Sequence, residues 1–227
     1  MLAKNKKIIK HKVPKNIILY GGSGQSLQVK PIIDAYGSNV IAIIDDTPGL
    51  KSPFKEIPIF EGYRNFYDNF DTRQCDKTGF CITIGNPHGD VRIKLHDLLS
   101  NDGFIPISFS HQTAWIDDDA QIGIGAQILE RAIISARVKI GKQCIVNTNS
   151  SIGHECIIYD GVEIGPSATV CGIVEIGFNT WIGAGATILP RIKIGENCMI
   201  GAGAVVMKNV PDGTTVIGNP SRPILQK

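Results

Sequence analysis

The 227-residue chain contains no run of about 18 apolar residues, which excludes an ordinary membrane-spanning helix. Its opening, MLAKNKKIIKHKVP, carries Lys4, Lys6, Lys7, Lys10 and Lys12 but lacks the apolar core of about 7 to 15 residues that a secretory leader needs. A solvated basic tail over residues 1–15 and a cytoplasmic location are therefore expected. Charge excess is missing as well: 23 lysines and arginines stand against 21 acidic residues, a formal net charge of +2, so composition alone does not point to nucleic acid. The six cysteines include no C-x-x-C pair, and without a leader they read as reduced structural thiols. Histidine is scarce, at five residues.

What the chain has in abundance is a six-residue period. From Ile116 to Val206 an Ile or Val recurs at every sixth position, sixteen times without a break. Four places after each one stands a small or β-branched residue, as at Ala126, Cys144, Cys156, Ala168, Cys198 and Ala204, with Ile192 the bulkiest exception. Glycine often follows the aliphatic residue, as in IGIGAQ and IGAGAT. A short strand plus a turn buries its aliphatic side chain only by stacking on the next unit, and three units close one triangular coil of a parallel β-helix. Sixteen units make about five coils, with glycines supplying positive φ or room at the corners.

Residues 16–110 follow another pattern. NIILYGGSG is an apolar strand entering a glycine turn, QSLQVKPIIDAYG has helical spacing, and NVIAIIDD is a second buried strand, together a βαβ unit. A third strand, FCITIGN, precedes DVRIKLHDLLSNDG, where Val91, Ile93, Leu95, Leu98 and Leu99 form the apolar face of an amphipathic helix. Such a unit places a binding crevice at the carboxyl ends of its strands, here Gly21 to Gln25, Asp45, Asp46 and Gly85. GGSGQSL has Leu27 where a dinucleotide fingerprint wants a small residue. The short sheet suits one nucleotide better than two, and a purely structural turn is the competing reading.

His154 is the only histidine within the repeat and sits at the third place of its hexad, so it should point outward from a corner. Imidazole suits proton transfer at neutral pH, and Glu155, or another carboxylate brought close by folding, would hold the ring and raise its basicity. A three-histidine zinc site needs more histidines than the coils hold, His111 preceding them. Cys156 lies two residues on, but at an inward small position unsuited to a nucleophile.

Taken together, NIILYGGSGQSLQV, IIDD, ITIGN, VNTNSSIGHECIIYDGVEIGPSATVCG, WIGAGATILPRIKIG and VIGNPSRPI resemble the bacterial sugar O- and N-acyltransferases related to sialic acid O-acetyltransferase, most of all the nucleotide-linked amino-sugar N-acetyltransferases. The resemblance spans residues 16–224. It implies an α/β plus all-β chain: a small Rossmann-like βαβ domain over residues 16–110 that binds a nucleotide sugar, then a left-handed parallel β-helix over residues 111–227. It also implies a homotrimer, with acetyl-CoA held between neighbouring β-helices. His154 matches the family's base, Glu155 its tuner and Asn147 a nearby polar residue. Ser23, Gly24 and Gln25 fall on the nucleotide-sugar loop, Asp45 and Asp46 on its paired carboxylates, and Gly85 on a third-strand contact. Ala184 and Ala202 fall where backbone approaches the coenzyme.

Two positions depart from that pattern: Gln25 and Glu163 stand where the family has histidines, the second a coenzyme contact. An ionised Glu163 donates no hydrogen bond and adds negative charge near an anionic donor. The chemistry implied is direct transfer: a sugar amine attacks the thioester carbonyl while His154 takes its proton, with no acyl-enzyme. A sugar hydroxyl acceptor, as in sialic acid O-acetylation, would use the same base, and a non-catalytic trimeric nucleotide-binding scaffold is the alternative from another class.

Overall fold

The structure, a computed structural model, describes residues 13–224. Most of the basic tail expected over residues 1–15 lies outside the described residues. The first part of the chain builds β1 (Asn16–Tyr20), α1 (Gly24–Ala35), β2 (Asn39–Asp45), β3 (Ile59–Glu61), α2 (Tyr63–Asn69), β4 (Thr78–Ile82), α3 (Gly89–Asn101) and β5 (Ile105–Pro106). The strands form one parallel sheet in the order β3-β2-β1-β4-β5.

Ile17, Ile18 and Leu19 of the central β1 are fully buried, as expected for a parallel strand covered on both faces. One face packs Ile17 and Leu19 with Val29, Ile32 and Ile33 of α1, and this cluster extends to Phe109 and Leu129 further along the chain. The other packs Ile18 and Tyr20 with Phe66, Leu99 and Phe104. Strands β1, β2 and β4 are those the apolar runs announced. The short β3, β5 and α2 were not expected, because strands of two and three residues and a helix of seven are too short for their periodicity to be read.

Helix α3 differs from its expected packing. Its buried residues are Gly89, Arg92, His96 and Leu99, whereas Leu98 is 39% exposed and Val91, Ile93 and Leu95 are half-buried. The helix turns a polar stripe, Arg92 and His96, against the second part of the chain, where buried polar partners await it.

That second part is the β-helix. Two-residue strands recur from Trp115–Ile116 to Val205–Val206 with the second residue on the six-residue register, and those up to Thr187–Ile188 each pair in parallel with the strand eighteen residues on. The strands stack into three sheets, the faces of a prism. One unit precedes the first one read from sequence: Phe109–Ser110 joins the face that carries Gln127–Ile128, Ile145–Val146, Glu163–Ile164 and Trp181–Ile182. Ser110 occupies the aliphatic position there, which hid the unit. The register residues and the small residues between them form one inner column, buried from Ile128 to Val206.

The corners take a left-handed backbone every six residues, yet most of these residues are not glycine. Arg131, Arg137, Gln143, Asn149, Glu155 (φ 60°) and Ile173 (φ 62°) are examples. Glycines that follow the aliphatic residue serve close approach instead: a Cβ on Gly165 would come within 2.6 Å of the Ile182 carbonyl oxygen. Among the described residues no helix is long and apolar enough to cross a membrane.

Candidate active site

A crevice of about 830 Å³ opens where the carboxyl ends of β1, β2 and β4 meet the β-helix. The glycine turn after β1 shapes it. Gly21 has φ +113° and a Cβ there would collide with the Thr83 carbonyl, so the turn tolerates no side chain. The Gly22 N–H donates to Asp45 Oδ2 at 2.7 Å, and the Thr47 N–H donates to Asp45 Oδ1 at 2.9 Å. Tyr20 donates its hydroxyl to both Asp46 oxygens at 3.0 and 3.1 Å, and burial, with Asp46 adding to it, raises the phenol pKa so that it stays a donor. The paired carboxylates therefore brace the turn, while both still line the crevice with acceptor capacity to spare.

Beyond the turn, α1 begins at Gly24 with Ser23 as its N-cap and no acidic residue in its first turn. Its N–H groups and dipole favour an anion there. A Cβ on Gly24 would meet nothing within 4 Å, so the fold itself does not require this glycine, and its bareness leaves the backbone open to the crevice. Gln25 also lines the crevice, but its Nε2 donates to Gln127 Oε1 at 2.9 Å and Gln127 Nε2 donates to the Ile82 carbonyl at 2.6 Å. Gln25 thus fastens the sheet domain to the prism.

The same seam holds the most deeply buried charge. Arg92 is 0% exposed and donates through Nε to the Gln143 carbonyl at 3.0 Å, through Nη1 to Ile84 at 3.2 Å and through Nη2 to Gly161 at 2.7 Å. Burial opposes its charge and the Glu163 carboxylate, 3.7 Å away, supports it. Glu163 Oε1 accepts from Asn86 Nδ2 at 3.1 Å and from Asn147 Nδ2 at 3.2 Å. Asn147, Gly85 and Glu163 all line the crevice. Glu163 thus stands with the turn residues, its charge countered by Arg92, and not as the unpaired negative charge its position in the sequence suggested.

His154 lies elsewhere. It follows Ser151–Ile152 and precedes Ile157–Ile158, strands of the two faces that the sheet domain does not cover, and it does not line the crevice. Its side chain is 60% exposed, outward as expected. Nδ1 stands 3.0 Å from Glu155 Oε2; because a carboxylate only accepts, the neutral ring that makes this bond has its proton on Nδ1 and its lone pair on Nε2. Glu155 is in turn 3.7 Å from Arg137 Nη1. Nε2 lies over Gly172, where a Cβ would come within 2.6 Å of it, so that glycine makes the room in which the ring sits. Ala184 and Ala202 are exposed at the corner that also carries Asn147.

Cys156 Sγ is buried and donates to the Cys171 carbonyl at 3.0 Å, and burial raises its pKa. A nucleophilic thiolate is disfavoured there. Among the described residues no group of three or more His, Cys, Asp or Glu is placed to hold a metal. Sequence reasoning missed Tyr20, Asn86, His88 and Arg92. Tyr20 and Asn86 lie inside motifs that were read, NIILYGGSG and FCITIGN, and His88 stands two residues beyond the second, whereas an arginine on a helix gives no sign of burial.

A small parallel sheet joined to a parallel β-helix of six-residue units is the architecture shared with hexapeptide-repeat acyltransferases. The family model described as bacterial transferase hexapeptide (six repeats) matches residues 173–208. WeeI from Acinetobacter baumannii AYE is 31% identical, with 92% of this chain and 99% of that one covered at a TM-score of 0.81. A histidine-to-asparagine variant of the perosamine N-acetyltransferase of Caulobacter crescentus, in complex with CoA and GDP-perosamine, is 25% identical over 93% and 97% of the two chains, with a TM-score of 0.84. The acetyltransferase domain of PglB from Neisseria gonorrhoeae FA1090, in complex with acetyl coenzyme A, is 25% identical over 93% and 100%, with a TM-score of 0.82. The chain belongs to the bacterial sugar O- and N-acyltransferase family.

Proposed function

We propose that the protein transfers an acetyl group from acetyl-CoA to the amino group of a nucleotide-linked amino sugar, for use in bacterial surface glycans. The observation that carries this is the pairing of two features in one chain: a crevice with the anion-favouring N-terminus of α1 in its wall, and an exposed imidazole whose Nδ1 is held 3.0 Å from a carboxylate. Similarity to the Caulobacter protein with GDP-perosamine and CoA, and to the PglB domain with acetyl coenzyme A, supports the choice of substrates.

In this reading the diphosphate lies at the N-terminus of α1 over Ser23, Gly24 and Gln25, with Asp45 and Asp46 beside the nucleoside. Asn147 and Gly85 face the sugar, and the backbone at Ala184 and Ala202 runs beside the coenzyme. The donor supplies the thioester carbonyl. His154 Nε2 accepts the proton that the amine loses, and Glu155 keeps Nδ1 protonated and the ring oriented. The proton acceptor is general-base machinery worth about 10²- to 10⁴-fold.

His154 and the crevice occupy different parts of one prism, so a site completed between subunits, with His154 of one chain facing the crevice of the next, follows as the assembly proposed. A three-sided prism lends itself to closed threefold symmetry. The test is thiol release from acetyl-CoA in the presence of UDP- and GDP-linked 4-amino sugars. Release with an amino sugar, and none with the hydroxyl counterpart, is expected; silence across the panel rejects the reading.

A further inference from the structure

We propose that Glu163 Oε2 accepts a hydrogen bond from the amino group of the acceptor sugar, making Glu163 the residue that selects amino over hydroxyl sugars. The inference rests on the nucleotide-sugar reading of the crevice. Glu163 is 6% exposed and lines that crevice. Its Oε1 takes both amide donors, Asn86 and Asn147, while Oε2 is buried with no hydrogen-bond partner. Arg92 does not fill the vacancy: Nη1 stands 3.7 Å from Oε2, beyond hydrogen-bond range, and each guanidinium nitrogen already donates to a backbone carbonyl. Gly85 flanks the free oxygen, and even an added Cβ there would remain 4.0 Å from it.

A buried carboxylate oxygen left without a donor is costly, and a donor on the molecule in the crevice would relieve that cost. The chemistry of the walls says which part of that molecule it is. Phosphate is favoured at the N-terminus of α1, whose first turn has no acidic residue and beside which the Asp45 and Asp46 carboxylates already accept from the Gly22 and Thr47 N–H groups and the Tyr20 hydroxyl, whereas Glu163 Oε2 has no donor. The Glu163 end therefore takes the donor-bearing sugar. An amine, cationic before it is activated, makes a stronger charge-assisted bond to a carboxylate than a hydroxyl does. The step is binding only: the bound ammonium loses one proton to solvent to become the nucleophile, and the proton the amine loses on attack goes to His154 as above.

Titration calorimetry decides it, using nucleoside diphosphate-linked 4-amino sugars, their 4-hydroxyl counterparts and the bare nucleoside diphosphates on the wild type, Glu163→Gln and Glu163→Asp. The aspartate keeps a negative charge for Arg92 but shortens the reach, so it separates pairing from contact. The expected result is a roughly tenfold or greater loss of amino-sugar affinity in both variants, with bare nucleoside diphosphate binding and the KM for acetyl-CoA unchanged. Undiminished amino-sugar preference, a change confined to the acetyl-CoA KM, or an equal loss for the bare nucleotide would each overturn the assignment, the last by reducing Glu163 to a support of the seam. A wild type that binds no amino-sugar nucleotide fails the proposed function itself, before any variant is compared.

Discussion

At the scale of single residues, the arrangement around His154 turns on a side chain and on the lack of one. Glu155 fixes the protonated nitrogen, and Gly172 clears the space under the other. His154→Ala is expected to lower turnover by about 10²- to 10⁴-fold with an unchanged thermal midpoint, since the ring is 60% exposed; near-normal turnover in a folded variant would remove it as the base. Gly172→Ala puts a methyl group within 2.6 Å of Nε2. The exposed ring can swing aside, so folding should survive while kcat falls, a result that steady-state kinetics beside a melting curve would read. His154 was legible in sequence because a uniform repeat makes any exception conspicuous. Gly172 was not, since it is one glycine among 25 and its role depends on what lies on the adjacent coil.

At the scale of elements, α3 is the most instructive. Its apolar residues announced an amphipathic helix, and a helix formed, but Arg92 and His96 are among its most buried residues. Periodicity reports which residues share a face and says nothing of whether the opposing surface offers carbonyls and amides. Here it does: His96 Nδ1 stands 2.9 Å from Gln143 Nε2 and accepts from it when neutral. Burial lowers the His96 pKa, Lys142 lowers it further, and Asp97 and Asp160 oppose the shift. Above the ordinary histidine value of about 6.5 neither folded nor unfolded chain binds this proton. As the pH falls below it, the unfolded chain binds the proton first, so the contribution to stability is progressively lost. The melting temperature should therefore drop on acidification below about pH 6.5 by more in the wild type than in His96→Gln, whose amide can still accept from Gln143. Equal slopes would show that other groups govern acid stability.

At the scale of the whole molecule, the crevice and His154 do not meet within one chain, and this makes a prediction about assembly. A tryptophan at Gly24 would meet no protein atom at its Cβ and would fill the crevice. Gly24→Trp and His154→Ala chains should each be inactive alone, yet regain partial activity when co-assembled, because some interfaces then pair an intact histidine with an intact crevice. Mixtures that stay inactive would place the whole site in one chain. The six-residue register from Ile116 to Val206, the three apolar strands of the sheet and the exceptional His154 were determined by sequence alone, because local periodicity and short-range turns encode them. The first unit at Phe109–Ser110, the polar burial of Arg92, and the gathering of Gly85, Asn86, Asn147 and Glu163 into one pocket were decided only in three dimensions. Those residues are separated by up to 78 positions (163 − 85), and which of them meet depends on how the sheet docks on one face of the prism.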